Sequence, residues 1–157
     1  MSRVLSVWVD NKPGVLARIA GLVSRRGFNI ESLAVSNTEE DVRSRVTMVV
    51  DADEHIVEQV TKQLHKLINV YKVTDLTDMD HIERELVLFK VDVPPEKRGE
   101  IIELAKNFGA KIDGGASDSL IIELTETAGR LEAFETLLSP YGIREMIRTG
   151  KIALAND

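Results

Sequence analysis

The segment Asp10-Asn11-Lys12-Pro13-Gly14-Val15-Leu16 lies between two apolar runs of different period. Before it, Val4, Leu5, Val7, Trp8 and Val9 follow the pattern of a strand. After it, Val15, Leu16, Ile19, Ala20, Leu22 and Val23 follow helical spacing. A strand must therefore pass through a tight turn directly into a helix. Pro13 and Gly14 suit the start of that helix: proline needs no N–H there, and glycine lets the backbone approach another group closely. Free N–H groups in a first helical turn carry partial positive charge, so the joint can hold a carboxylate. The same residues also serve a plain strand–turn–helix connection, and the motif alone leaves both uses open.

The order of elements follows from the same periodicities. Ser2–Val9 reads as a strand and Gly14–Arg26 as a helix with Gly27 as its C-cap. Ile30–Ser36 and Arg43–Val50 read as strands, Asp53–Leu67 as a helix and Val70–Leu76 as a strand. This β-α-β-β-α-β order is the split βαβ arrangement of ferredoxin-like folds. The acidic stretch Thr77–Glu83 reads as a linker, and the order then repeats. Glu85–Val93 is a strand, Lys97–Phe108 a helix capped by Gly109, and Ala110–Asp113 and Leu120–Thr125 are strands turning at Gly114-Gly115. Ala128–Leu138 is a helix stopped by Pro140, and Ile143–Arg148 and Lys151–Leu154 form a terminal strand pair around Thr149-Gly150. The expectation is an α+β chain of two ferredoxin-like units: 1–77, a linker 78–83, and 84–157.

Units this small bury proportionately little apolar surface, and an open sheet leaves its edges unpaired. Ile30–Asn37 is expected at an edge and lacks the lysines and prolines that protect one. Pairing with a second copy answers both problems, so a homodimer is expected.

Several functions are disfavoured by what the sequence lacks. A net charge of −6 and few aromatic residues give no footprint for a general nucleic-acid binder. Although RNA-binding modules share the βαββαβ order, Val46, Met48 and Val50 offer no rings to stack on. No apolar run approaches the ~20 residues that span a bilayer. The N-terminus shows no leader pattern and there is no cysteine, so a cytoplasmic location is expected. No catalytic residues and no metal site are expected. His55 and His65 are ten residues apart on one helix, unlike an i, i+4 metal pair, and His81 falls in the linker. Asp53, Glu54 and Glu126 suit helix starts, and nothing pairs a nucleophile with a base. Arg25-Arg26 read as a solvated face.

Asp10–Ile19 followed by Arg25-Arg26-Gly27-Phe28-Asn29-Ile30-Glu31-Ser32-Leu33-Ala34-Val35 resembles the ACT domain of the acetolactate synthase small regulatory subunit. The resemblance continues through Glu58–Ile68, Val70–Leu76 and Glu83–Leu88, and through Pro140–Ile143 and Arg148–Leu154. It implies a non-catalytic chain without cofactors of its own. Its partner would be a catalytic large subunit carrying thiamine diphosphate, FAD and magnesium and forming acetolactate from pyruvate. This chain would activate that subunit and confer feedback inhibition by valine. An ACT-domain amino-acid sensor serving another biosynthetic enzyme is the alternative.

The resemblance also implies a valine site between the ACT domains of a homodimer, with Asn11, Gly14, Val15 and Leu16 from one chain and Asn29 and Ile30 from the other. Backbone N–H groups at Gly14–Leu16 would hold the valine carboxylate. The amide oxygens of Asn11 or Asn29 would accept from its ammonium group, while Val15, Leu16 and Ile30 would shape an apolar slot. Each residue also has a plain use: Asn11 in the turn, Asn29 in a left-handed turn beside Gly27, and Ile30 in the core.

Overall fold

In the computed structural model, which describes residues 2–26 and 29–157, the first apolar run becomes β1 (Ser2–Asp10). The joint delivers the chain to α1 (Val15–Arg25). β2 (Asn29–Asn37), β3 (Arg43–Asp51), α2 (Glu54–His65) and β4 (Val70–Asp75) complete the first unit. Its sheet has the order β2-β3-β1-β4, antiparallel throughout. Strand residues of one parity face the helices: Leu5 stands opposite Met48 and Val7 opposite Val46. Val15, Ile19 and Val23 of α1 and Val57, Val60 and Leu64 of α2 close that core. Asp53 caps α2 by accepting the Ile56 N–H at 2.9 Å, an interaction worth about 1 kcal/mol. The expected cap of α1, Gly27, lies outside the described residues.

The second unit repeats the order. β5 (His81–Asp92) leads through a 3-10 turn to α3 (Arg98–Phe108), β6 (Lys111–Ala116), β7 (Ser119–Glu126), α4 (Ala128–Leu138) and β8 (Ile143–Arg148). The sheet order is β6-β7-β5-β8, so both halves are ferredoxin-like, as the element order predicts. Phe89 meets Phe134 edge-on at 5.5 Å in its core, against Ile101, Ile122 and Leu131. Gly109 ends α3 in the left-handed conformation, φ 74°, which glycine adopts without steric cost.

Three expectations fail here. Gly114-Gly115 are not the turn: both lie in β6, and the chain reverses at Ser117-Asp118. Glycine is needed inside the strand, because Gly115 has φ 141° and a Cβ there would collide with the Ser119 carbonyl. β5 begins at His81, inside the expected linker, and His81 is half-buried with Nδ1 2.7 Å from the Met79 carbonyl. Finally, β9 (Ile152–Ala155) makes no hairpin with β8 but pairs with β5.

Contacts divide the chain into Met1–Ile82 with Lys151–Asp157, and Glu83–Gly150. The last residues thus lie with the first unit, on the sheet face away from its helices. Ala153 packs there against Val4, Val49 and Leu76, and the Lys151 N–H donates to Ser32 Oγ at 2.8 Å.

Candidate functional site: the β1–α1 joint

The joint is held from both sides by main-chain bonds. The Asp10 N–H donates to the Asn69 carbonyl at 2.8 Å, and the Asn11 N–H to the Val42 carbonyl at 2.9 Å. Gly14 is the N-cap of α1 in the left-handed region, φ 83°, so the helix starts at Val15, one residue later than expected. Pro13 therefore belongs to the turn rather than to the first helical position. No side chain caps this helix start, and its first turn holds no acidic residue. By contrast, α2 has both the Asp53 cap and Glu54. The positive end of α1 is left uncompensated beside an exposed turn.

Asn11, Gly14, Val15 and Leu16 come together at this joint. Asn11 is exposed, with Nδ2 3.4 Å from Asn37 Oδ1 and 3.4 Å from the Asp41 carbonyl. Leu16 is 39% exposed, whereas Val15 is 4% exposed and its side chain belongs to the core. Val15 thus has its backbone rather than its side chain to offer a ligand.

Asn29 and Ile30 do not join them. Asn29 stands opposite Asp51, which stands opposite Ser2, at the far end of the sheet from Asp10. At 3.2–3.4 Å per strand residue, the separation is roughly 25 Å. Asn29 is an exposed strand residue and no described non-glycine residue has positive φ, which removes its expected left-handed turn. Ile30 is half-buried against the core.

A side-chain network that the residue pattern did not reveal braces the joint. The Asp10 carboxylate accepts from the Tyr71 hydroxyl and from Asn69 Nδ2, the latter at 2.7 Å. Asn69 Oδ1 in turn accepts from Arg18 Nη1 at 2.9 Å. Tyr71, then Asn69, hold the Asp10 carboxyl below its ordinary value, and Asp10 pushes the Tyr71 phenol up. The end of β1, the start of β4 and α1 are thereby tied at one point. Only the tertiary pairing of β1 with β4 brings Asp10 to Asn69 and Tyr71, so spacing in the sequence gives no signal of it.

β2 is the outer strand of its sheet, as expected. Leu33 and Val35 stand opposite Met48 and Val46 and so share the helix-side face, yet they are 36% and 44% exposed. The same register shows that Val46, Met48 and Val50 are buried beneath the helices, so their lack of rings says nothing about the sheet's outer face. Trp8 is on that outer face, opposite Arg45.

His55 and His65 are exposed on α2, and Arg25 and Arg26 are exposed at the end of α1. Glu126 ends β7 rather than opening a helix. It accepts the Thr127 N–H at 3.1 Å and pairs with Arg130 at 3.0 Å. Among the described residues no group of three His, Cys, Asp or Glu side chains is placed to hold a metal ion.

Comparison with known proteins places the chain, though not these features, in a family. A family model described as an AHAS small subunit-like ACT domain matches residues 5–72, and one described as the small subunit of acetolactate synthase matches 84–157. The probable acetolactate synthase small subunit of Archaeoglobus fulgidus is 54% identical over 154 residues, covering 98% of this chain and 96% of the relative. The acetolactate synthase small subunit of Mycolicibacterium smegmatis is 47% identical over 154 residues, covering 98% and 91%. The crystal structure of the acetolactate synthase small subunit from Thermotoga maritima superposes with a TM-score of 0.91 at 37% identity, covering 100% of this chain and 98% of that one.

Proposed function

The chain belongs to the acetolactate synthase small-subunit family, and from that premise we propose that it is a non-catalytic regulatory subunit. It activates a catalytic large subunit and makes it sensitive to valine. The large subunit supplies thiamine diphosphate, FAD and magnesium and carries out the condensation of pyruvate. The observation that carries the valine reading is the start of α1: a left-handed Gly14 with no capping side chain and no acid in the turn behind it. A free amino acid's carboxylate provides the missing charge and accepts from the N–H groups there.

Two copies complete the site. If β2 pairs antiparallel with β2 of a second copy, the Asn29 end of one strand meets the Asn37 end of the other. Asn37 already lies beside Asn11. The Asn29 and Ile30 that are distant within one chain then arrive, from the second copy, at the joint that needs them. Leu33, Val35 and Leu16, exposed on the single chain, are covered by the same pairing. Ile30 and Leu16 supply apolar surface for the isopropyl group, and the amide oxygens of Asn11 and Asn29 accept from the ammonium group.

Because each pocket draws on both copies, valine favours one arrangement of the dimer over others. It shifts activity by the difference in its affinity for the two. A coupling of about 1–3 kcal/mol gives a 5- to 150-fold effect.

Calorimetry with valine tests the site. Wild type is expected to bind and Gly14→Asp to lose binding, because the new carboxylate occupies the ligand's place, while the variant still co-purifies with the large subunit and activates it. Unchanged valine affinity in Gly14→Asp contradicts the site assignment.

A further inference from the structure

The outer face of the first sheet gathers cationic and aromatic side chains around Trp8. Trp8 stands opposite Arg45 of β3 on one side and Lys72 of β4 on the other, so the three form a row across the strands. The Arg45 guanidinium lies 4.6 Å from the centre of the Trp8 ring, and that of Arg43 4.1 Å from the Tyr71 ring. The neighbouring row is Thr47, Ser6 and Thr74. Apart from the buried Thr47, these residues, with Met79 and the end of the chain, line a hollow of about 620 Å³ in which Asp157 is the single acid among the described lining residues.

Three cationic side chains thus gather on one face of a protein whose net charge is −6. Arg43 has Glu40 at 3.1 Å and stands opposite Asp10, and the Nε atoms of Arg43 and Arg45 are both buried without a hydrogen bond. Among the described residues no carboxylate pairs with Arg45 or Lys72.

We propose that this face docks an acidic segment of the catalytic large subunit. The inference rests on the regulatory-subunit reading above and adds to it where the partner binds. The charge calls for carboxylates. Trp, Tyr and Arg are the residue types that most often anchor protein interfaces. The hollow is spread across open strands, with Tyr71 47% exposed and Lys72 exposed, whereas small-molecule sites bury most of their ligand. A nucleic acid meets the repulsion of the remaining net negative charge. Tyr71 both lines this face and donates to Asp10, the residue before the Asn11–Leu16 joint. Partner and effector therefore bear on adjoining groups.

The test uses the full chain and its cognate large subunit. Reversing both charges, Arg45→Glu with Lys72→Glu, is expected to weaken association at least 100-fold and to leave valine affinity within twofold. Arg45→Lys with Lys72→Arg is expected to retain association within about fivefold. Should the reversal destabilise the chain, Arg45→Gln with Lys72→Gln is expected to weaken association at least tenfold. Trp8 is the chain's single tryptophan, so 19F NMR of the 5-fluorotryptophan-labelled chain reports on this face alone, and its resonance is expected to shift when unlabelled large subunit is added.

Association within threefold of wild type in the charge variants, or an unmoved resonance in a formed complex, overturns the proposal but leaves the regulatory reading intact. A Trp8 shift produced instead by a single-stranded oligonucleotide, or by self-association at high concentration, also overturns it. Failure of the wild-type chain to bind the large subunit at all overturns the regulatory reading, and this one with it.

Discussion

Arg3, on β1, donates from Nη2 to Asp75 at the end of β4 at 2.7 Å, with the Arg3 side chain 8% exposed and that of Asp75 27%. Burial pushes the Asp75 carboxyl up. The Thr77 hydroxyl and N–H and the Arg3 guanidinium outweigh burial and hold it below its ordinary value of 3.8. A depressed carboxyl contributes stability above its unfolded value and loses it as pH falls through the folded one. Asp75→Asn is therefore expected to cost about 2 kcal/mol at pH 7, less than a fully buried pair because water reaches Asp75. In urea titrations the gap between wild type and variant is expected to close below pH 3.8. A constant gap from pH 7 to pH 3 contradicts this role.

Gly14 separates backbone strain from ligand charge. Open space surrounds the position where its Cβ would be, so Gly14→Ala meets no clash and costs only the left-handed conformation at φ 83°. That penalty is about 1–2 kcal/mol. Thermal unfolding is expected to show a destabilisation of that size, with valine still bound. Loss of valine binding in Gly14→Ala comparable to that in Gly14→Asp assigns the effect to backbone geometry rather than to charge.

Leu33 and Val35 test the pairing of two copies. They lie on the outer strand, on the helix-side face, with more than a third of each exposed. Leu33→Lys with Val35→Lys places like charges on both sides of the proposed seam. Light scattering is expected to show dimers of wild type and monomers of the variant, and calorimetry a loss of valine binding. A variant that stays dimeric shows that copies meet elsewhere.

Ala153 holds the end of the chain on the outer face, packed against Val4, Val49 and Leu76 and 6% exposed. Ala153→Asp buries a carboxylate among apolar groups, at a cost of about 2 kcal/mol once the segment can lift away. Amide exchange at Lys151–Asp157 is then expected to accelerate by about 30-fold, with α1 and α2 unchanged. Unchanged exchange in the tail contradicts the packing.

The strands and helices were legible because period-2 and period-3.6 runs are set by local geometry. Pro13-Gly14 marked the start of α1 to within one residue. The failures fall where tertiary contacts decide. Gly114-Gly115 carry the composition of a turn, but the close approach of Ser119 demands glycine within β6. The final strand's partner is β5, about 70 residues earlier, and no local pattern announces a pairing of that range. At the joint, Asn11, Gly14 and Leu16 could be read from neighbours in the chain. The braces at Asn69 and Tyr71 could not, because the β1–β4 register creates them. Trp8 read as one apolar residue in a strand. Its meaning changed once Arg45 and Lys72 were found flanking it.

The most direct test of the account is acetolactate formation by the cognate large subunit, with and without this chain, across a valine titration. The expected result is low activity from the large subunit alone, a rise of several-fold on adding the chain, and a valine-dependent fall that disappears with Gly14→Asp while the rise persists. Activity that neither rises with the chain nor responds to valine contradicts the central claim.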